Sequence, residues 1–360
     1  MKQNKQNQRQ GKWKKKIAGI TGFCVFALFL CGCAGIELEN KTFPLAVLIA
    51  EQDGQHKICY LAQQLSEVSN ERANGTNMTA ADASGSTYYE THQSFEKNNR
   101  CQLDMTHTKA VIFQKGFLES SAFRTFLDTV RSENTYARNT LVYLSDSSME
   151  DMAKLNDSLE VPLGSYLEQM TENEQEVREQ AFVTLGMLLN EQANASRILL
   201  IPVLEVKNDL PVITSYQIMQ GFERKGRADV REAQIYYLLA GQMQQMDVFL
   251  DKEDQVKLNR IRCRREFFMD QNQVTERIVV TAEAQRITGK ASTERFERML
   301  ENKISDICST FIQKNEADLT DSSRYLALYA PDIYRVYGKR ADDYRKHLAY
   351  ETQVHIRMLS

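Results

Sequence analysis

The stretch HTKAVIFQKGFLESSAFRTFLDTVRSENTYARNTLVYLSD, His107 to Asp146, decides the fold. Lys109 to Phe113 is a short run of buried-strand type, and Thr140 to Leu144 is a second. Between them Leu118, Ala122, Phe123, Phe126, Leu127 and Val130 recur at helical spacing and draw an apolar stripe along residues 117–131. Two short strands joined through a helix pair in parallel, with the helix as crossover. Ser147 or Ser148, followed by Glu150 and Asp151, caps a further helix through about Leu155. Glu174 to Gln192 reads as another helix, and Ile198 to Val203 as the strand that closes the series.

Upstream, Phe43 to Tyr60 reads as a hairpin turning at Gln52-Asp53-Gly54-Gln55, where the Asp-Gly pair supplies positive φ. Residues 66–87 (SEVSNERANGTNMTAADASGST) hold almost no large apolar group, which predicts a mobile loop. Downstream, Lys207 to Pro211 marks a boundary, beyond which strands follow in series. Val230 to Met243 reads as a helix, then Gln255 to Phe268 and Val274 to Gln285 as two long strands. Ser292 opens a helix to about Glu316, with Phe296, Leu300, Ile304, Ile307, Phe311 and Ile312 on one face. Thr352 to Met358 alternates as a final strand. The expected fold class is therefore multi-domain. An α/β half over 43–206, in two subdomains, precedes an α+β half over 212–360, an antiparallel sheet backed by one long helix.

The N-terminus carries a different message. Seven basic residues and no acidic one precede the uncharged run Ile17 to Gly32, which ends in Leu30-Cys31-Gly32-Cys33. A basic head, a short apolar core and small residues make an export signal over 1–32. Its sixteen apolar positions fall short of the roughly 20 that a spanning helix needs. A cysteine after Leu-x-Gly can accept a diacylglyceryl group as a thioether, leaving Cys33 as the lipid-bearing first residue and 33–42 as a polar tether. Gly32-Cys33-Ala34 also satisfies a small-x-small cleavage rule that would release a soluble protein, and an uncleaved segment would be a short anchor. The lipid anchor is the reading taken.

Removing the signal takes seven positive charges from a chain of net charge −3 and leaves −10. Phosphate backbones repel such a body, so nucleic acid is excluded as a partner. Cys59, Cys101, Cys263 and Cys308 are too widely spaced for a disulfide framework or a metal site and read as small buried residues. There is no Gly-x-Ser-x-Gly elbow and no His-Glu-x-x-His pair. No catalytic residue and no metal is therefore assigned. His107, ahead of a buried strand, reads as a structural hydrogen-bond donor. Arg260, Arg262, Arg264 and Arg265 read as the solvated face of a strand, or else as a site for an acidic partner. Tyr325, Tyr329, Tyr334, Tyr337, Tyr344 and Tyr350, mixed with Arg335 and Arg340, are equally a partner surface or a packed subdomain.

The lipid motif, the Asp-Gly hairpin and the His107–Asp146 stretch together resemble the Ger(x)C family, the lipoprotein C subunits of spore nutrient germinant receptors. His107, Lys109, Arg131 and Arg138 stand at the family's strand-helix-strand motif, and Asp332, Ile333, Gly338 and Tyr344 at its closing motif. The family's Trp and acid after the lipid cysteine are here Ala34 and Gly35. The resemblance implies a three-domain protein on the outer face of the inner spore membrane, assembled with A-type and B-type membrane subunits. It implies no cofactor beyond the lipid. A solute-binding lipoprotein of a transporter is the alternative, and it predicts two similar α/β lobes around a cleft.

Overall fold

The computed structural model describes residues 41–63, 78–99, 102–133, 135–178, 182–194, 198–250, 254–270, 273–288, 292–314, 322–337 and 348–359. Cys33 and Cys101 lie outside the described residues. From Thr42 onward the chain is one compact unit. β1 (Lys41–Gln52) and β2 (Gln55–Gln63) form the expected hairpin, with Asp53 and Gly54 both at positive φ. β3 (Met78–Gly85) pairs outside β2, and β4 (Gln102–Leu103) pairs with β1. β5 (Ala110–Gln114), β6 (Leu141–Ser145) and β7 (Ile198–Lys207) then run parallel, in order, beside β1. β8 (Leu210–Gln220) and β9 (Glu223–Asp229) complete this first sheet in antiparallel pairing.

Both faces of that sheet are covered, as parallel strands require. Val47, Ile49, Val111, Phe113, Val142 and Leu144 face α1 (Tyr88–Asn98), α2 (Ser121–Glu133) and α5 (Leu185–Asn194). Alternate residues Ala46, Leu48, Ala110, Ile112 and Tyr143 face α3 (Met149–Ser158) and α4 (Leu163–Arg178). Phe113 stacks on Phe117 at 5.3 Å and meets Phe123 and Phe126 edge-on, geometry that aromatic quadrupoles favour. The strand starts are tied by two buried hydroxyls. Thr108 Oγ1 donates to the Pro44 carbonyl and Thr140 Oγ1 to the Thr108 carbonyl, each at 3.0 Å.

The second sheet runs β10 (Met246–Phe249), β11 (Gln255–Asp270), β12 (Gln273–Arg286), β13 (Leu348–Met358). α6 (Val230–Leu239), opened by an Asp229–Glu232 capping box, lies between the sheets. α7 (Thr293–Lys314) buries Phe296, Leu300, Ile304, Cys308 and Phe311 against the second sheet, the stripe read from its spacing. α8 (Ser322–Tyr329) and α9 (Pro331–Tyr337) precede β13. The same core takes in Ile198, Leu200, Tyr216 and Ile218 of the first sheet, and Tyr236 Oη donates to the Ile198 carbonyl at 2.9 Å.

Several expectations are corrected. Part of the stretch expected as a mobile loop is β3: residues 79–85 alternate in the ladder with β2, and Thr87 then caps α1. An edge strand takes its hydrogen bonds from one neighbour and needs little apolar burial, so composition alone misreads it. The helix expected over 174–192 is two, α4 and α5. Between them Val183 O accepts from Val142 N at 2.9 Å and Leu185 N donates to Thr140 O at 2.8 Å, bonds that pull the chain extended against β6. Lys207 to Pro211 is the tip of the β7–β8 hairpin, with Asn208 and Asp209 at positive φ, so the first sheet draws strands from both sides of it. β13 runs parallel to β12, so the second sheet is not wholly antiparallel.

Gly164, at the start of α4, lies against the backbone of β1. A Cβ there would sit 2.0 Å from the carbonyl oxygen of Leu45, which accepts from Lys109 N at 2.9 Å. Gly164→Ala must push α4 off the sheet or break that bond. Urea unfolding of the variant should show a loss of about 2 kcal/mol or more, the upper range for overpacking.

Candidate interaction surface

The second sheet holds a buried ion pair. Inward positions on β12 are Val274, Glu276, Ile278 and Val280, every one fully buried. On β11 the register slips between Asn259 and Arg262, where Arg260 takes positive φ. Beyond that bulge Ile261, Cys263 and Arg265 point inward. Arg265 Nη1 reaches Glu276 Oε1 at 2.9 Å, with side chains 2% and 0% exposed. Arg265 Nη2 donates to the Leu239 carbonyl at the end of α6, 2.7 Å away, and Ser322 Oγ donates to Glu276 Oε2. The Arg265 guanidinium also lies 4.2 Å from the ring centre of Tyr325, whose hydroxyl donates to the Ala240 carbonyl at 3.3 Å. Strand, helix and α8 are thereby bolted together.

What α8 and α9 show outward is apolar and aromatic. Leu326 is fully buried over Val274, and Ile333, Ala330 and Phe267 pack around them. On the outer side Leu328 is 61% and Tyr329 67% exposed, and Tyr334 is also exposed. Tyr329 stacks on Tyr325 at 5.8 Å, which holds its ring in place. Arg335 and Asp332 pair at 3.5 Å in full solvent, a contact of little energy. Exposed Tyr beside Arg is the composition of docking surfaces.

Of the residues expected at a partner surface, Tyr334 and Arg335 stand on this face. Tyr337 ends α9, with its side chain outside the described residues, as are Gly338, Arg340 and Tyr344. His107 is exposed, its ring edge-on to Phe43 at 5.5 Å, and no hydrogen bond of its side chain appears among the described residues. The expected donor role gives way to a ring contact. Lys109 Nζ pairs with Glu168 at 2.8 Å across β5 and α4, and the Arg138 carbonyl accepts from Gly186 N at 2.8 Å. These motif positions stitch the first sheet to its helices. Arg260, Arg262 and Arg264 are exposed as expected of a solvated face, but Arg265 is not. Charges of opposite sign at inward positions of neighbouring strands are the signal in the sequence that points to it.

Elsewhere, Arg227 grips Asp146 with two bonds of 2.6 and 2.7 Å at the end of β6, and these hold the Asp146 carboxyl below its ordinary value. Burial pushes the Cys308 thiol up to about 12 and Cys263 to about 11, so neither is a ready nucleophile. Among the described residues no three His, Cys, Asp or Glu side chains gather as a metal site, and no helix is long and apolar enough to cross a membrane.

The fold and this surface define a two-sheet α/β and α+β protein that presents an aromatic face on a braced helical pair. Residues 35–206 match the family described as spore germination protein N-terminal domain. The crystal structure of the GerBC protein is similar over 87% of this chain and 97% of that one, at a TM-score of 0.56 and 12% identity, a likeness of fold. No curated protein matches the sequence. Residues 35–206 are thus a spore germination protein N-terminal domain, and the fold over most of the chain is that of the GerBC protein.

Glu276→Ala strands the Arg265 charge in the core. Stability should fall by about 3–5 kcal/mol in urea unfolding, while Arg265→Met with Glu276→Leu should recover most of the loss.

Proposed function

We propose that this chain is the lipid-anchored C subunit of a spore nutrient germinant receptor, non-enzymatic and needed for receptor assembly. The observation that carries the reading is the match of residues 35–206 to the spore germination domain. Leu30-Cys31-Gly32-Cys33 supports diacylglyceryl attachment at Cys33, on the outer face of the inner spore membrane. Two acyl chains anchor far more firmly than one. A-type and B-type membrane subunits are the partners, and the α8–α9 face is where they dock. The solute-binding alternative needs two similar α/β lobes. Among the described residues the second sheet has one such crossover, β12 to β13 through α7, α8 and α9, set beside the β10–β11–β12 antiparallel ladder, where the first sheet lays β1, β5, β6 and β7 in parallel series.

Two experiments test the reading. Cys33→Ala should move the protein from the spore membrane fraction to the soluble fraction and abolish germination in response to nutrient. A variant still in the membrane with a normal response defeats the anchor. Leu328→Asp with Tyr329→Ser should leave the protein folded and membrane-bound, because both side chains are largely exposed. Co-purification of the A-type and B-type subunits should then drop about tenfold or more, as loss of exposed aromatic anchors does at interfaces. Undiminished co-purification removes this face from the assembly.

A further inference from the structure

A cavity of about 570 Å³ opens between α6, α7 and the edge strand β10, and no residue of α8 or α9 lines it. Its floor is apolar. Ile235, Met243 and Val248 are buried there, and Met246 and Ile307 are half-buried. Phe249, at the mouth, is 61% exposed, an unusual state for a phenylalanine with a cavity beside it. The rim is cationic. Arg231 projects from the first turn of α6, Lys257 from β11 and Lys303 from α7. Among the described residues, none of the three makes an ion pair. Asp247 is the lining carboxylate, so the rim carries a surplus of two positive charges. This stands out on a body whose net charge past residue 32 is −10.

We infer that this cavity binds an anionic amphiphile, a carboxylate or phosphate head on an unbranched alkyl chain. The head sits at the rim by Arg231 and Lys303, cations from two helices that make no ion pair among the described residues. The alkyl chain lies along the aliphatic floor. Two methionines line it, and unbranched thioethers adapt to a flexible chain better than a rigid wall does. The volume falls within the range of about 300–1,000 Å³ typical of small-ligand pockets. Nothing in this depends on the receptor reading, because the argument uses only the cavity and its rim on α6, α7, β10 and β11.

The test uses the full chain in phosphatidylcholine nanodiscs, photolabelled with a diazirine-bearing fatty acid and mapped by peptide mass spectrometry. Label is expected on the peptides carrying Ile235, Met243, Met246 and Ile307, and unlabelled dodecanoate should compete it away while dodecanol does not. Arg231→Glu with Lys303→Glu changes two rim side chains. It should keep the melting temperature and lose about tenfold of the labelling, the scale of two reversed rim charges. Ile307→Trp, which fills the hollow, should lose it too. A parallel arm with a diazirine phosphatidylglycerol in the disc separates the sources: label there points to bilayer lipid, label from the free acid alone to a soluble amphiphile. Label scattered over the surface, equal competition by the alcohol, or labelling indifferent to both variants overturns the inference.

Discussion

The Arg265–Glu276 pair fixes the relation between three elements that share no continuous backbone. Two full charges out of water are costly, and their mutual attraction repays this only when every remaining donor and acceptor is met. Here the guanidinium has a carboxylate, the α6 C-terminal carbonyl and the Tyr325 ring, and the carboxylate has Ser322 besides. Such a cluster has one low-energy arrangement. A purely apolar interface under α8 would tolerate sliding, because hydrophobic contact is non-directional. Directional bonds set α8 at one place, and with it the angle at which Leu328 and Tyr329 leave the surface.

The two sheets are less separate than their strand patterns suggest. β8 and β9 complete the first sheet, yet Tyr216, Ile218 and Ala228 contribute to the core beneath α7. α6 lies between, so its buried face is almost continuous, from Ala233 through Ile235 to Leu239. That explains its weak amphipathic pattern, since a helix covered on most sides has no long polar stripe. The spore germination domain match ends at residue 206, just before the hairpin tip, although the sheet goes on for two more strands. A stretch recognisable in sequence and a stretch closed by hydrogen bonds need not coincide. The first sheet exists whole only because later residues return to pair with β7.

What can be read from the sequence follows from how burial writes itself into spacing. The α2 and α7 stripes and the β1–β2 turn are legible because each depends on residues near one another in the chain. β3 is not, because its stability comes from pairing with β2 and its own side chains are small. Residues 182–185 read through as helix since Phe182, Val183 and Leu185 keep an apolar tone while Thr184 bridges to Leu141. The Arg265 error has a sharper cause. The bulge at Arg260 shifts the inward phase of β11 by one residue, and a one-residue shift exchanges faces. Carried past the bulge unshifted, the inward phase of Val256 and Leu258 would leave Arg265 outward, whereas Arg265 in fact shares the inward face of Ile261 and Cys263.

An exposed patch as small as Leu328, Tyr329 and Tyr334 is modest as a free-standing interface, since specific complexes usually bury on the order of 800 Å² per partner. A tether changes that arithmetic. Confinement to the surface that holds the partner makes docking effectively intramolecular, with local concentrations that reach the millimolar range for short linkers. A contact of millimolar dissociation constant, worth about 4 kcal/mol, is then half occupied or better. On the anchored reading, the lipid at Cys33 supplies concentration and the braced helices supply orientation. Rigid placement of α8 matters more under these conditions than added contact area, because a weak contact can be specific only if its geometry is fixed before the partner arrives. On the same reading, the buried ion pair beneath so small a surface supplies that fixed geometry.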